Sequence, residues 1–348
     1  MKAAKKRAAA VRGRTGPPVL TASATQLLWH HHRRALLVWG AALLLVLALA
    51  AWLARSAAPG TEAAEPSTPL PATAAAELPP AIPEATLEQL LAAPKSADWR
   101  IARLAGNTAV MVIEFPSLLA QGQAFNRAAA LLEKTRGSRE RVLSDAELQA
   151  LVAGAGDNVE TFYQGHDYTG INIARFFSLA ASQKVTLNEQ ELRLRTLLLQ
   201  EGVMREEGGA YSAFSRQAVI GFSAVQPDNP ATKQDETIDL QRRESVLLHE
   251  LSHGKFFTRN DYQQACWAFW KEALTDAERR LFRDYLARND YDPGNEELMV
   301  NETQALLMHT PDTRAFSATT LGVSEAQLAS FRARFQQAET AAQAAAAR

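Results

Sequence analysis

The run Val246-Leu-Leu-His-Glu-Leu-Ser-His-Gly254 places two imidazoles and one carboxylate in a five-residue frame, His249-Glu250-x-x-His253. On a helix, positions four apart share a face, so His249 and His253 would project together. Two neutral imidazoles at that spacing can bind one Zn²⁺ at ~2.0–2.1 Å each. Glu250 follows the first histidine, where it can take a proton from a water activated by the ion. The surrounding residues Val246, Leu247, Leu248, Leu251 and Ser252 are apolar or small. A helix that is apolar nearly all round is a buried one. Two histidines and a glutamate buried on it need partners, and a metal ion supplies them.

From Val246 to Gly254 the segment resembles the active-site helix of the zincin metallopeptidases. It departs from them at Lys255, where the family usually has an apolar residue, although a lysine stem can lie along apolar surface. The metzincin extension would need Gly at 256 and His at 259, and the chain has Phe256 and Arg259. A catalytic zinc takes three protein ligands and keeps one position open. In the gluzincin branch the third is a glutamate from a later helix, in an Asn-Glu-x-x-Ala/Ser setting, and Asn301-Glu302-x-x-Ala305 is similar to it. The resemblance thus implies His249, His253 and Glu302 as ligands and Glu250 as general base. Glu296, Glu297, Asp292 and His309 stay open as rival third ligands. Resembling enzymes also use a Tyr or His as electrophile. Tyr291, in the loop Asn289–Gly294, and His309, two turns beyond Glu302, are candidates for that role. The resemblance covers only these two segments.

The elements around them read as mainly α with a small β-sheet, an α+β class, in a zincin-like domain over residues 87–338. Apolar periodicity and capping boxes predict helices near 87–93, 116–135, 144–153, 157–164, 170–182, 188–202, 239–257, 260–272, 275–288, 295–309 and 324–340. Strands are expected at Thr108–Glu114, Ala210–Phe214 and Gln217–Val225. The last two could form a hairpin, and by resemblance Val219–Ser223 would be the cleft-side strand that pairs with substrate backbone. His166 and Asp167 in Gln164-Gly-His-Asp-Tyr168 look site-like, but a turn after a helix explains them as well and is preferred. Lys134, Arg139, Arg141 and Arg175 read as solvated, and Asp239 suits the start of the helix that carries His249. Residues 339–348 form an Ala-rich tail.

Residues 35–54, ALLVWGAALLLVLALAAWLA, are long enough to span a hydrocarbon core ~30 Å thick as a helix. Residues 1–34 form a basic tail, and positive-inside bias puts it in the cytoplasm and the rest on the periplasmic or extracellular side. Residues 55–86, with seven prolines at 59, 66, 69, 71, 79, 80 and 83, read as an extended linker. Nine of the 37 Lys+Arg and none of the 38 Asp+Glu lie in residues 1–55, so the exported part carries about −10. That sign disfavours nucleic acid as a partner. Cys266 is the single cysteine, set in an aromatic stretch, and reads as a small buried hydrophobe. These observations lead to the expectation of a membrane-anchored zinc metallopeptidase. It would act on a peptide or protein substrate, with cell-envelope partners possible. The alternative is an inactive zincin-like scaffold at the same place.

Overall fold

β-branched and aromatic residues concentrate at Thr108–Phe115 and Val219–Phe222, and both segments become interior strands of one sheet. The computed structural model describes residues 82–134, 138–213, 216–226 and 239–348, all within the compact unit Pro79–Arg348. The basic tail, the apolar stretch 35–54 and most of the linker lie outside them. Among the described residues no helix is long and apolar enough to cross a membrane.

In chain order the elements begin with β1 (Glu84–Ala85), α1 (Leu87–Ala92), β2 (Arg100–Leu104), β3 (Asn107–Phe115), α2 (Leu118–Leu132) and α3 (Asp145–Gly154). Then come β4 (Gly165–Thr169), α4 (Gly170–Ser182), α5 (Glu189–Gln200), β5 (Arg205–Glu207), β6 (Ala210–Ser212) and β7 (Ala218–Ser223). The remainder is α6 (Leu240–Thr258), α7 (Asn260–Ala268), a π-helical turn at Phe269–Ala273, α8 (Asp276–Arg288), α9 (Glu296–His309), α10 (Ala318–Leu321) and α11 (Glu325–Ala346). The chain is therefore mainly helical with a small mixed sheet, as its sequence suggests.

The five-stranded sheet runs β1-β2-β3-β7-β4, with β3 and β7 parallel and β4 antiparallel to β7. Both faces are covered. Met111, Ile113, Phe115 and Val219 pack with Phe125, Ile173 and Phe177 of α2 and α4. The alternate residues Val110, Val112, Ala218, Ile220 and Phe222 pack with Leu247 of α6. Gly254 lets α6 lie close to the sheet, because a Cβ there would sit 3.0 Å from Val110 Cγ1. Buried Glu114 on β3 pairs with Arg243 of α6 at 2.5 Å and with Arg100, and Arg243 also donates to the carbonyls of Leu90 and Leu91. That network anchors the N-terminal half of α6. Elements α7 to α11 build a second, helical core around Trp270, Phe282, Met299, Phe331 and Phe335. Cys266 lies buried in it.

Four expectations are corrected. Residues 157–164 are turns rather than helix. Asp157, Asn158 and Thr161 hydrogen-bond one another and local backbone at 2.8–3.0 Å, which competes with helical pairing. The expected hairpin between Ala210–Phe214 and Gln217–Val225 does not form. Gly208 and Gly209, both at positive φ, turn the chain so that β6 pairs with β5 instead. Val219–Ser223 is not a free edge, since β7 is paired on both sides and β4 is the edge strand. His166 and Asp167 belong to β4, not to a turn.

Candidate metal centre

Helix α6 starts at Asp239, whose side chain accepts the Arg242 N–H at 3.0 Å. It carries His249, Glu250 and His253 down its middle. Helix α9 starts at Asn295, whose side chain accepts the Leu298 N–H, and carries Glu302. The two helices are tied together by Gln304. Its amide donates to Ser252 Oγ at 3.1 Å, and its carbonyl accepts the Tyr262 hydroxyl at 2.6 Å. The result brings His249 Nε2 to 3.5 Å and His253 Nε2 to 3.7 Å from the Glu302 carboxylate. The ligand atoms of His249, His253 and Glu302 all lie within 4.8 Å of one another, a group able to hold a metal ion.

The groups behind these side chains favour that use. Thr310 Oγ1 donates to the Ala305 carbonyl at 2.9 Å, so its lone pair accepts from His249 Nδ1 at 2.8 Å. Holding the proton on Nδ1 leaves Nε2 as a lone-pair donor toward Glu302. His253 is fully buried, yet neither ring nitrogen has a hydrogen-bond partner among the described residues, and neither do Glu302 Oε2 and Glu250 Oε2. Orphaned polar atoms of this kind are costly unless something fills the space between them. Burial lowers His249 and His253 to about 4, so both rings are neutral, the ligand form, at ordinary pH. Burial raises Glu302, and burial together with Glu302 raises Glu250 well above the usual carboxylate range. A bound cation would relieve both.

Strand β4 closes the other side. Its alternation sends His166 and Tyr168 to the α2 face and Gly165 and Asp167 to the α6 face. Asp167 Oδ2 lies 3.7 Å from His253 Nε2, and Asp167, Glu250 and His253 form a second close group. Burial, then Glu250, raise the Asp167 carboxyl well above its usual range. Gly165 touches Glu250 so closely that a Cβ there would fall 2.1 Å from Oε1. His166 is an ordinary core histidine. It is stacked among Phe125, Tyr163 and Tyr168, its Nδ1 is 3.1 Å from Tyr168 Oη, and burial lowers it to about 3.

His249 and Glu250 open onto a cleft of about 320 Å³, whose wall also includes Lys134, Tyr163, Arg242 and Tyr291. Tyr291, taken from sequence as an electrophile candidate, therefore does face the cleft, and burial keeps its phenol protonated. His309 does not join the site. Its Nε2 lies 2.8 Å from Tyr262 Oη on the helical-core side. The rival third ligands are engaged or elsewhere. Asp292 pairs with Arg139 at 2.9 Å, Glu296 with Arg283 at 3.1 Å, and Glu297 lines a separate pocket beyond Asp167. Lys134 is 9% exposed rather than solvated, held against the rings of Tyr163, Phe162 and Tyr291. Sequence reasoning missed Gly165 and Thr310, and it set Asp167 aside as a turn residue, although Asp167 lies beside His253. For Gly165 and Asp167, the alternating Gly165-His-Asp-Tyr-Thr169 carried a faint strand signal; Thr310 left none.

Compared with protein-family models, curated proteins and solved structures, the chain gives no match.

Proposed function

We propose that this protein is a zinc metallopeptidase of gluzincin type, anchored to a membrane through residues 35–54 with its hydrolytic domain on the periplasmic or extracellular side. The observation that carries the reading is the convergence of His249, His253 and Glu302, with buried unpartnered ligand atoms, beside a Glu250 that faces an open cleft. Two imidazoles and one carboxylate match the three-ligand set of a catalytic zinc site, which keeps its fourth position for water. A zinc ion held there supplies Lewis-acid polarisation of a scissile carbonyl and lowers the pKa of a coordinated water toward ~7.

The chain's own residues do the rest. Glu250 takes the proton of the attacking water and passes it to the leaving amine, with Gly165 fixing where its carboxylate sits. Thr310 holds His249 in one tautomer and orientation. Tyr291 presents a protonated phenol to the cleft, a donor for the developing oxyanion. The outer edge of β4, unpaired by any strand among the described residues, offers backbone groups on which an extended peptide could align beside Glu250.

The test is metal content by mass spectrometry on the purified full-length protein and its Glu302→Ala and Glu250→Gln variants, beside hydrolysis of a broad peptide mixture. One zinc per chain is expected in the wild type and in Glu250→Gln, and a marked loss in Glu302→Ala. Hydrolysis should fall by about 10²–10⁴-fold in Glu250→Gln, the usual worth of a general base. A folded, zinc-loaded wild type that cleaves nothing, or undiminished cleavage by Glu250→Gln, would overturn the proposal.

A further inference from the structure

The cleft contains a cation that the mechanism above does not use. Lys134 follows the end of α2, and its backbone bridges to Tyr291. Its Nζ lies 4.4 Å from the ring centre of Tyr163, 4.8 Å from that of Phe162 and 5.8 Å from that of Tyr291. Three ring faces steady the ammonium and fix its direction without neutralising it. Among the described residues no carboxylate forms a salt bridge with it, and its side chain lines the same cleft wall as His249 and Glu250. Arg242, the other cation on that wall, already lies 4.0 Å from Asp312. A charge so far removed from water is costly until an anion meets it. The cleft, at about 320 Å³, stands at the small end of ligand pockets and is lined by both Glu250 and Lys134, so a single ligand can meet the two.

We propose that Lys134 is the anion-recognition residue of this cleft, so that the favoured substrate is a peptide with a carboxylate close to the scissile bond. This inference rests on the peptidase reading. The carboxylate can be a free C-terminus, which would make the protein a carboxypeptidase, or the side chain of an aspartate or glutamate. Both present the same chemistry to an ammonium. Lys134 binds and positions this group and takes no part in proton transfer. The rival role is that Lys134 only offsets the nearby carboxylates Glu133, Asp290, Asp157 and Glu302, whose fields it feels in that order. Only the recognition role makes turnover depend on the charge of the substrate.

The experiment uses zinc-loaded full-length protein and N-acetylated short alanine peptides in three forms: free acid, C-terminal amide, and amide with one glutamate at each position in turn. Wild type is compared with Lys134→Met, which keeps the stem and removes the charge, and with Lys134→Arg, which keeps the charge. The expected result is a preference of about tenfold to a hundredfold for a carboxylate-bearing peptide, expressed mainly in KM, as suits one charge-assisted contact. Lys134→Met should abolish the preference and Lys134→Arg should retain part of it. Preference for the free acid assigns a C-terminal carboxylate, and preference for a glutamate amide assigns a side chain. Equal cleavage of all forms by wild type refutes the inference even if neither variant folds, as does a preference unchanged in Lys134→Met. If no peptide is cleaved the peptidase reading fails. Calorimetric titration of the same peptides then decides about Lys134 alone, with charge-dependent binding lost in Lys134→Met as the supporting outcome and charge-independent binding, or none, as the refuting one.

Discussion

Gly165→Ala tests whether the position of Glu250, rather than its mere presence, sets the rate. A Cβ at residue 165 would fall 2.1 Å from Glu250 Oε1, 2.5 Å from Cδ and 2.6 Å from Cγ. Ordinary contact begins at 3.4 Å, so the carboxylate oxygen must withdraw by more than 1 Å. The strand itself can accept alanine, since Gly165 does not lie at positive φ. Its neighbours across the ladder are unaffected, with Phe222 opposite it on β7. The methyl group should therefore displace the base and leave the fold in place. A 1 Å misplacement of a reacting group costs on the order of 10²-fold, or about 2.7 kcal/mol of barrier. The assay is kcat and KM for the best peptide substrate, measured beside zinc content and thermal midpoint. The expected outcome is a loss of about 10² in kcat, one zinc still bound, and a stability loss of about 1–3 kcal/mol, as suits one methyl group added at a buried site. Full activity in Gly165→Ala, with Glu250→Gln still inactive, would refute the reasoning by showing that Glu250 works from another position.

Thr310→Val should weaken zinc binding by about 10- to 100-fold in chelator competition, because His249 Nδ1 loses its acceptor while the side-chain volume is kept; unchanged affinity would remove Thr310 from the site. The stabilisation conferred by added zinc should grow with pH. His249 and His253 have folded values near 4 against 6.5 when unperturbed, so protons compete with zinc for the folded site only as pH falls toward 4, while the stability these rings give the metal-free fold is complete above about 6.5 and is lost over the same fall. Glu133 has the opposite sign. Burial and then Glu302 raise it from 4.5 to about 7, so the metal-free protein loses stability as pH rises through that window. The zinc-induced shift in thermal midpoint should therefore be small at pH 4 and largest above about pH 7, and a pH-independent shift would contradict this account of the site.

What could be read from the chain by itself was the local part. Helical spacing puts His249 and His253 on one face whatever surrounds them, and the capping residues Ser144, Asn188, Thr275 and Ser324 start their helices within their own first turns. The 170–182 helix was legible to the residue, because its apolar stripe and Thr169 cap are encoded within fourteen positions. Glu302 stood out from its rivals through a resemblance and an apolar helix face at Leu298, Ala305 and Leu306, and only the tertiary structure shows it beside His249 and His253. Gln304 locks α9 onto α6, and Asp292 and Glu296 are taken by arginines.

The rest depended on pairings that close long loops. Asp167 reaches His253 across 86 positions because β4 pairs with β7, and nothing in Gly165–Thr169 announces that partner. Strand order obeys the same limit. Val219–Ser223 has the composition of a strand, but whether it lies at an edge is settled by which segments flank it, here β3 and β4. Lys134 reads as a surface lysine from its own neighbours and becomes a buried cation only when residues 162, 163 and 291 fold around it. Periodicity and capping act through contacts a few residues apart and so survive in a one-dimensional reading. Burial of a charge is a property of the assembled walls, and only the folded chain has walls.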